Sequence, residues 1–319
     1  MAEHIAVLSN PFAGKGRGAH QAEAALAHLR ARGLDVRVYT GESAASSRIL
    51  VAQALRESPR VLVVVGGDGT LSAILDAVCA AGVPVVLVPA GTGNDLARAL
   101  GLPRRDPVAA AELVLTGVPR AIDIGEIRAA GRVDPFLTIA ALGFDAKVSD
   151  RTNRLRWPHG VLRYYLALIV ELVRLRPMEF TVSVDGAAPI HAPGTLVAVG
   201  NTESYGGGMP LCVGAAADDG LLDIVQVAPL TRLRLLHLFP LLLRGAHLTR
   251  PEVTHRQARS VTVSAPGLVV YADGERIADS ECTIGIRRSA LTILVPTTCL
   301  LYTSPSPRDL STSRMPSSA

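Results

Sequence analysis

Lysine is almost missing from this 319-residue chain: Lys15 and Lys147 are the only two, so its 32 basic residues are nearly all arginine, set against 28 acidic ones. The net charge of +4 is spread without a basic stripe, which argues against a dedicated nucleic-acid binder. Aromatic residues are scarce at 4%, and the four cysteines, Cys79, Cys212, Cys282 and Cys299, show no CxxC spacing, so neither a zinc site nor a disulfide framework is indicated. A reducing cytoplasm is the compartment this cysteine usage suggests. No stretch reaches the roughly 18 uninterrupted apolar residues of a spanning helix, and the first ten residues lack the basic-then-apolar pattern of a secretion signal. Aliphatic residues, by contrast, are plentiful: 49% of the chain is hydrophobic, material for a sizeable core in about two domains.

Residues 5–8 (IAVL), 34–39 (LDVRVY), 61–65 (VLVVV) and 83–88 (VPVVLV) read as short strands, with helical patterns at Ala19–Arg32, Ala44–Glu57 and Leu71–Ala81. This rhythm predicts a mostly parallel α/β domain over residues 1–125, with ligand expected at the carboxyl ends of its strands. After Asp123 the period changes. FLTIAALGFDA, FTVSVDG, TLVAVGN, LLDIVQV, SVTVSA, LVVYADGE and ECTIGIRRSALTILV predict a second, antiparallel β-rich domain over residues 126–296, interrupted by helical stretches at 160–174 and 231–243. Periodicity leaves open a sandwich or a domain whose last strand returns to the first. Residues 297–319 are rich in Ser, Thr and Pro without apolar period, which predicts disorder; they resemble cloning read-through and receive no function.

Three glycine-polar loops follow three of the predicted strands. The first, Asn10 to Gly18, carries Gly14, Lys15 and Gly16, and its glycines let backbone amides approach an anion at a helix N-terminus. It lacks the Ser or Thr after Lys15 that a GxxxxGK[ST] loop requires. The second, Gly66-Gly67-Asp68-Gly69-Thr70, ends a buried strand, where Asp68 is a costly choice unless it holds a metal, a proton or a ligand hydroxyl, or caps the helix. The third, Pro89 to Asp95, offers Gly91, Thr92 and Asn94 to phosphate or ribose, with Asp95 placed to cap the helix it opens. Converging on one crevice, the loops predict nucleotide binding. GxGxxG is absent and no acidic residue ends the second strand, so a dinucleotide oxidoreductase is disfavoured.

NPFAGKG, GGDGT, PAGTGNDLAR, NTESYGGG and the later ADGE together resemble the diacylglycerol kinase catalytic-domain family, in its bacterial soluble lipid-kinase branch and more remotely sphingosine and NAD kinases. The resemblance implies a three-layer parallel-sheet nucleotide domain, a larger antiparallel β-sandwich domain and an ATP cleft between them. It implies that Asn10, the Gly14–Gly16 loop, Gly66, Gly67, Gly69, Thr70, Gly91, Thr92 and Asn94 contact ATP. Asp68 would hold magnesium or the reacting hydroxyl, and Glu275 would be the general base for a lipid hydroxyl. Without the resemblance, Glu275 and Asp273-Gly274 read as ordinary turn residues.

The acidic turn at residues 217–223 adds hard-oxygen ligands. The resemblance implies a second magnesium there, held by Asp219 and the Leu221 carbonyl with Asp218 nearby, although Val213 stands where the family often has proline. Thr231–Arg244, leucine-rich and bounded by arginines, fits either a buried helix or one resting on an anionic bilayer. The expectation is therefore an ATP- and magnesium-dependent lipid kinase, cytoplasmic and transiently peripheral to the inner face of the membrane, with diacylglycerol first among acceptors and a homodimer compatible with the resemblance. The rivals are a kinase of another acceptor, including NAD, and a catalytically silent nucleotide-binding regulator.

Overall fold

The computed structural model describes residues 4–155, 157 and 161–297, without the side chains of residues 161–165; the tail from 298 onward, with Cys299, lies outside the described residues. Its first part alternates as the sequence pattern requires. β1 (Ile5–Ser9), β2 (Val36–Thr40), β3 (Val61–Gly66) and β4 (Val85–Pro89) pair in parallel in the order β2-β1-β3-β4. Between them run α1 (Ala13–Ala31), α2 (Ala44–Arg56), α3 (Asp68–Ser72) and α4 (Leu75–Ala81), followed by α5 (Asp95–Ala99) and α6 (Pro107–Thr116). Covered by helices on both faces, β1, β3 and β4 bury every residue, which is why they read as unbroken apolar runs.

Local chemistry sets several helix starts. Ser43 and Ser46 form a reciprocal capping box at α2, and Asp106 accepts from the Val108 and Ala109 amides while Pro107 supplies the first helical position of α6. The pattern at Leu71–Ala81 predicts one helix, but Ile74 leaves helical geometry and divides it into α3 and α4.

The second part begins with β5 (Val118–Ala129), β6 (Arg132–Phe136) and β7 (Ile139–Gly143), then α7 (Phe144–Arg154) and α8 (Val161–Val173). β8 (Met178–Val184), β9 (Ile190–Gly194), β10 (Leu196–Gly200), β11 (Ser204–Tyr205), β12 (Met209–Pro210) and β13 (Leu222–Val227) follow. After α9 (Arg232–Leu243), the chain ends its described fold with β14 (Val253–Ala258), β15 (Ser260–Ser264), β16 (Val270–Ala272), β17 (Glu275–Ala278) and β18 (Cys282–Val295). The order β14-β13-β10-β7-β16-β17 makes a separate sheet facing the extended first sheet. Alternate residues of β10 show its place: Val197 and Val199 join the core between the two sheets, and Leu196 and Ala198 the core beneath α7, α8 and α9. Sequence reading of FLTIAALGFDA as all strand runs past Gly143, where α7 begins; α9 carries Pro240 within it.

Both alternatives left open by periodicity occur together. β18 pairs with β15 through its first half, beside the sandwich, and reaches β4 in parallel at Ile293↔Val85. It also pairs with β5 along nearly its whole length, shifting register between Arg287 and Leu291. A two-strand ribbon, irregular only at that shift, therefore joins the two parts through backbone hydrogen bonds. Ile293 is fully buried in it. Ile293→Ala should cost about 2–5 kcal/mol and lower the unfolding midpoint of both parts in a single transition, read by circular dichroism and tryptophan-independent calorimetry; two separated transitions would show that the ribbon does not couple them.

Candidate active site

All three glycine-polar loops lie at the carboxyl ends of β1, β3 and β4. In the first, Asn10 Oδ1 accepts from the Phe12 amide at 3.0 Å, an Asx turn that starts the bend. Gly14, Lys15 and Gly16 then take left-handed backbone with φ of 58°, 64° and 90°, so the helix runs regularly only after them. A Cβ at Gly14 would stand 2.0 Å from the Ala90 carbonyl oxygen. The exposed Lys15 holds the same left-handed geometry without glycine's freedom, a strained position at a loop tip. Arg17 ties this loop to the third: Nε donates to the Gly14 carbonyl at 3.1 Å and a terminal nitrogen to the Gly91 carbonyl at 2.9 Å.

The second and third loops touch through backbone, since a Cβ on Gly91 would meet Gly67 Cα at 2.6 Å. Asn94, also left-handed, donates to the Gly91 carbonyl at 3.1 Å, and its buried Oδ1 has no partner among the described residues. Gly66 and Thr70 are buried, while Gly69 and Thr92 are exposed. The sequence-selected residues of these loops are thus brought to one edge of the sheet, with open surface above Gly69 and Thr92.

Behind that edge the carboxylates gather. Asp68 does not cap the helix it opens; its oxygens accept from the Asp95 and Leu96 amides at 2.9 and 3.3 Å and so cap α5. Asp95 in turn does not cap its own helix. Its buried carboxylate reaches into the second part, accepting from the Gly207 amide at 2.8 Å and Ser204 Oγ at 3.4 Å. Arg98 reinforces this contact by donating to the Gly207 carbonyl at 3.0 Å. Burial, with the negative charges of Asp273 and Asp95 added, pushes Asp68 up to about 6 despite the amides it accepts.

Asp273 comes from the β16–β17 hairpin of the other sheet, in left-handed geometry. It accepts from Ser72 Oγ at 2.7 Å, Thr138 Oγ1 at 2.6 Å and the Leu137 and Thr138 amides at 2.8 and 3.0 Å. Glu275, two residues further, is exposed and makes no hydrogen bond or ion pair among the described residues. Its hairpin therefore hangs on Asp273 at the α3 face where Asp68 sits. Sequence reasoning missed Asp95 and Asp273 as members of this cluster. Their signal was the placement of an acid immediately after a glycine-rich loop or before glycine, which local turn and cap chemistry also explains.

The acidic turn stands apart, beside the β5–β18 ribbon. Asp219 accepts from the Leu221 amide at 2.9 Å, and burial, with Asp223, Asp123 and Asp218 adding repulsion, raises its carboxyl. Asp218 is taken by Arg120 at 2.7 Å, and Asp223 by His255 at 2.5 Å. Asp123, fully buried, holds the turn in place by accepting from the Gly220 and Ser289 amides at 2.7 and 2.6 Å. Among the described residues no three His, Cys, Asp or Glu side chains converge as a metal site of their own.

Comparison with known proteins shows the family. Residues 4–127 match the diacylglycerol kinase catalytic domain, and residues 138–295 match the YegS C-terminal NAD kinase beta sandwich-like domain. A diacylglycerol kinase of Mycobacterium tuberculosis is 43% identical over 293 residues, covering 92% of this chain and 95% of that protein. A YegS-like lipid kinase of Pseudomonas fluorescens is 35% identical over 282 residues, covering 86% and 91%. A crystal structure of a diacylglycerol kinase from Bacillus anthracis superposes with a TM-score of 0.69 at 20% identity over 93% of this chain and 98% of that one, a likeness of fold. With both halves matched and two relatives above 30% identity along most of its length, the chain belongs to the diacylglycerol kinase family of lipid kinases.

Proposed function

We propose that this chain transfers the γ-phosphate of ATP to a lipid hydroxyl, with diacylglycerol as the first acceptor and phosphatidic acid as the product. The 43% identity to a diacylglycerol kinase across 92% of the chain carries this reading. Family membership implies ATP use, and the left-handed Gly14–Gly16 loop with its neighbours at Gly67 and Gly91 is where backbone amides can meet phosphate. The unpartnered Asn94 Oδ1 is an acceptor left for the nucleotide.

Glu275 takes the base role in this reading: exposed and unpaired, it is free to accept the hydroxyl proton as the oxygen attacks phosphorus. Asp68 is fixed by two amides of α5 and carries the negative charge nearest the loops. The concentration of Asp68, Asp95 and Asp273 would repel a polyphosphate, which fits a site that takes its nucleotide with a divalent cation. Bound magnesium would neutralise charge on the transferring phosphate. Among the described residues no triad of side chains is ready-made, so its ligands at Asp68 would be completed by phosphate and water. At the acidic turn, Asp219 and the Leu221 carbonyl are the fitting pair for a second magnesium; Arg120 makes Asp218 the weaker ligand.

Lipid access fits α9. Leu233, Leu236 and Leu243 are exposed, the first 81% so, beside exposed Arg232 and Arg244. Such a face suits peripheral contact with an anionic bilayer. Among the described residues no helix is long and apolar enough to cross a membrane.

The direct test incubates the protein with magnesium, labelled ATP and diacylglycerol, ceramide, sphingosine, phosphatidylglycerol or NAD. Labelled phosphatidic acid is the expected product; label in NAD with none in any lipid would overturn the reading. Glu275→Gln should depress kcat by about a hundredfold or more with little change in ATP affinity, and normal turnover would remove Glu275 as base.

Asp68 must be ionised to act, so kcat/KM should fall as pH drops through about 6. Its raised carboxyl also means that the folded state holds the proton more tightly than the unfolded chain does. The resulting destabilisation is absent below about pH 4 and complete above about 6. Asp68→Asn should therefore abolish turnover yet gain about 2 kcal/mol of stability at pH 7.5, a gain that vanishes at pH 3.5 in denaturant titrations. Asp219→Ala should raise the magnesium concentration for half-maximal activity or lower the thermal midpoint; a variant unchanged in both would dismiss the second metal.

A further inference from the structure

Asp145 is a buried carboxyl group that the roles above leave unexplained. It lies in the first turn of α7, 8% exposed, and its buried Oδ2 has no hydrogen-bond partner among the described residues. Its neighbours along α7, Phe144 and Val148, belong with Leu196 and Ala198 to the apolar core between the second sheet and its helices, and Tyr205 packs against the same core. Only the Tyr205 hydroxyl is recorded as donating to the carboxyl, and burial pushes Asp145 up to about 6 against that bond. A carboxylate serving merely to complement the helix N-terminus would turn its oxygens to the first amides of α7, and a free buried oxygen in a native core calls for a ligand or water.

Tyr205 connects this group to the candidate active site. It lies between Ser204, whose hydroxyl meets Asp95, and Gly207, whose amide donates to Asp95. Asp95 in turn adds its charge to Asp68. At the other end α7 donates from Asn153 Nδ2 to the Gly274 carbonyl at 3.2 Å, next to Glu275. The helix carrying Asp145 thus spans from the Tyr205 loop to the Glu275 hairpin, with the apolar layer beneath it.

We propose that Asp145, together with Tyr205, binds the ester region of the acceptor lipid and sets its hydroxyl against the phosphoryl-transfer carboxylates. This inference rests on the lipid-kinase reading and adds the chemistry of acceptor selection. A diacylglycerol has one hydroxyl, committed to the reaction, and two ester carbonyls that can only accept hydrogen bonds. Their partner must be a donor. Asp145 takes up a proton from solvent as the ester docks, an uptake eased by its raised carboxyl, and then donates from Oδ2 while its other oxygen continues to accept from Tyr205. Acyl chains then lie along the apolar layer toward the exposed leucines of α9.

The test compares a diacylglycerol with a dialkylglycerol, in which ether links replace both esters, at saturating magnesium and ATP. Wild-type protein should show a KM for the ether acceptor about five- to tenfold above that for the ester, the worth of one hydrogen bond, with the KM for ATP unchanged. Asp145→Leu should raise the diacylglycerol KM by a similar factor and erase the difference between the two lipids. Asp145→Asn, whose amide still donates, should keep the preference. Equal KM values for the two lipids in wild-type protein would overturn the proposal whether or not the variants fold, as would an ester preference that survives in Asp145→Leu. Phosphorylation of NAD and of no glycerolipid would instead overturn the lipid-kinase reading and this inference with it.

Discussion

A carboxylate accepting backbone amides from a distant segment is the interaction on which this molecule's working geometry depends. Asp68 takes the amides that open α5; Asp95 takes the Gly207 amide from the opposite part; Asp273 takes Leu137 and Thr138; Asp123 takes Gly220 and Ser289. Charge-assisted bonds of this kind are short and directional, and each fixes two chain segments that sequence separation leaves independent. The first three hold two loops of one sheet and a hairpin of another around a common edge, while Asp123 fixes the acidic turn beside the ribbon. The β5–β18 ribbon supplies the stiff frame, and the aspartates set the details.

The same interaction places negative charges close together. Amides compensate individual carboxylates, yet Asp68 still stands raised, first by burial and then by the charges of Asp273 and Asp95. That residual repulsion is a stability cost located where a polyphosphate and a cation would dock. The cap on α5 needs only an acceptor oxygen, which an amide side chain would also supply without the charge, so the carboxylate at Asp68 is better explained by what binds there than by the cap alone.

The fold was largely legible in the sequence because its signals are local. Four apolar strand runs, the Ser43 and Asp106 caps and the alternation in TLVAVGN each state their own structure. The split between α3 and α4 and the start of α7 at Phe144 were not legible, since both turn on packing that breaks a locally continuous pattern. The glycine loops, too, announced themselves: left-handed backbone at Gly14 and contact at Gly91 require the residues found there. Asp95 and Asp273 did not. Each looks like a satisfied local element, and only the approach of Gly207 to one and Ser72 to the other shows that they join remote segments.

This distribution of contacts has a mechanical consequence. Asp68 is carried by the first sheet and Glu275 by the second, so in the reaction proposed above their separation would be set by the junction rather than by either part alone. The ribbon constrains that junction on one side. On the cleft side the restraints are the Asp95–Gly207 and Arg98–Gly207 bonds and the Ser72–Asp273 bond, all made by the short helices directly after the glycine loops. A nucleotide that shifts those loops therefore acts on the same helices that position the second sheet. If the loops take the nucleotide and Glu275 is the base, as proposed above, these shared helices would link occupancy of the one to the placement of the other.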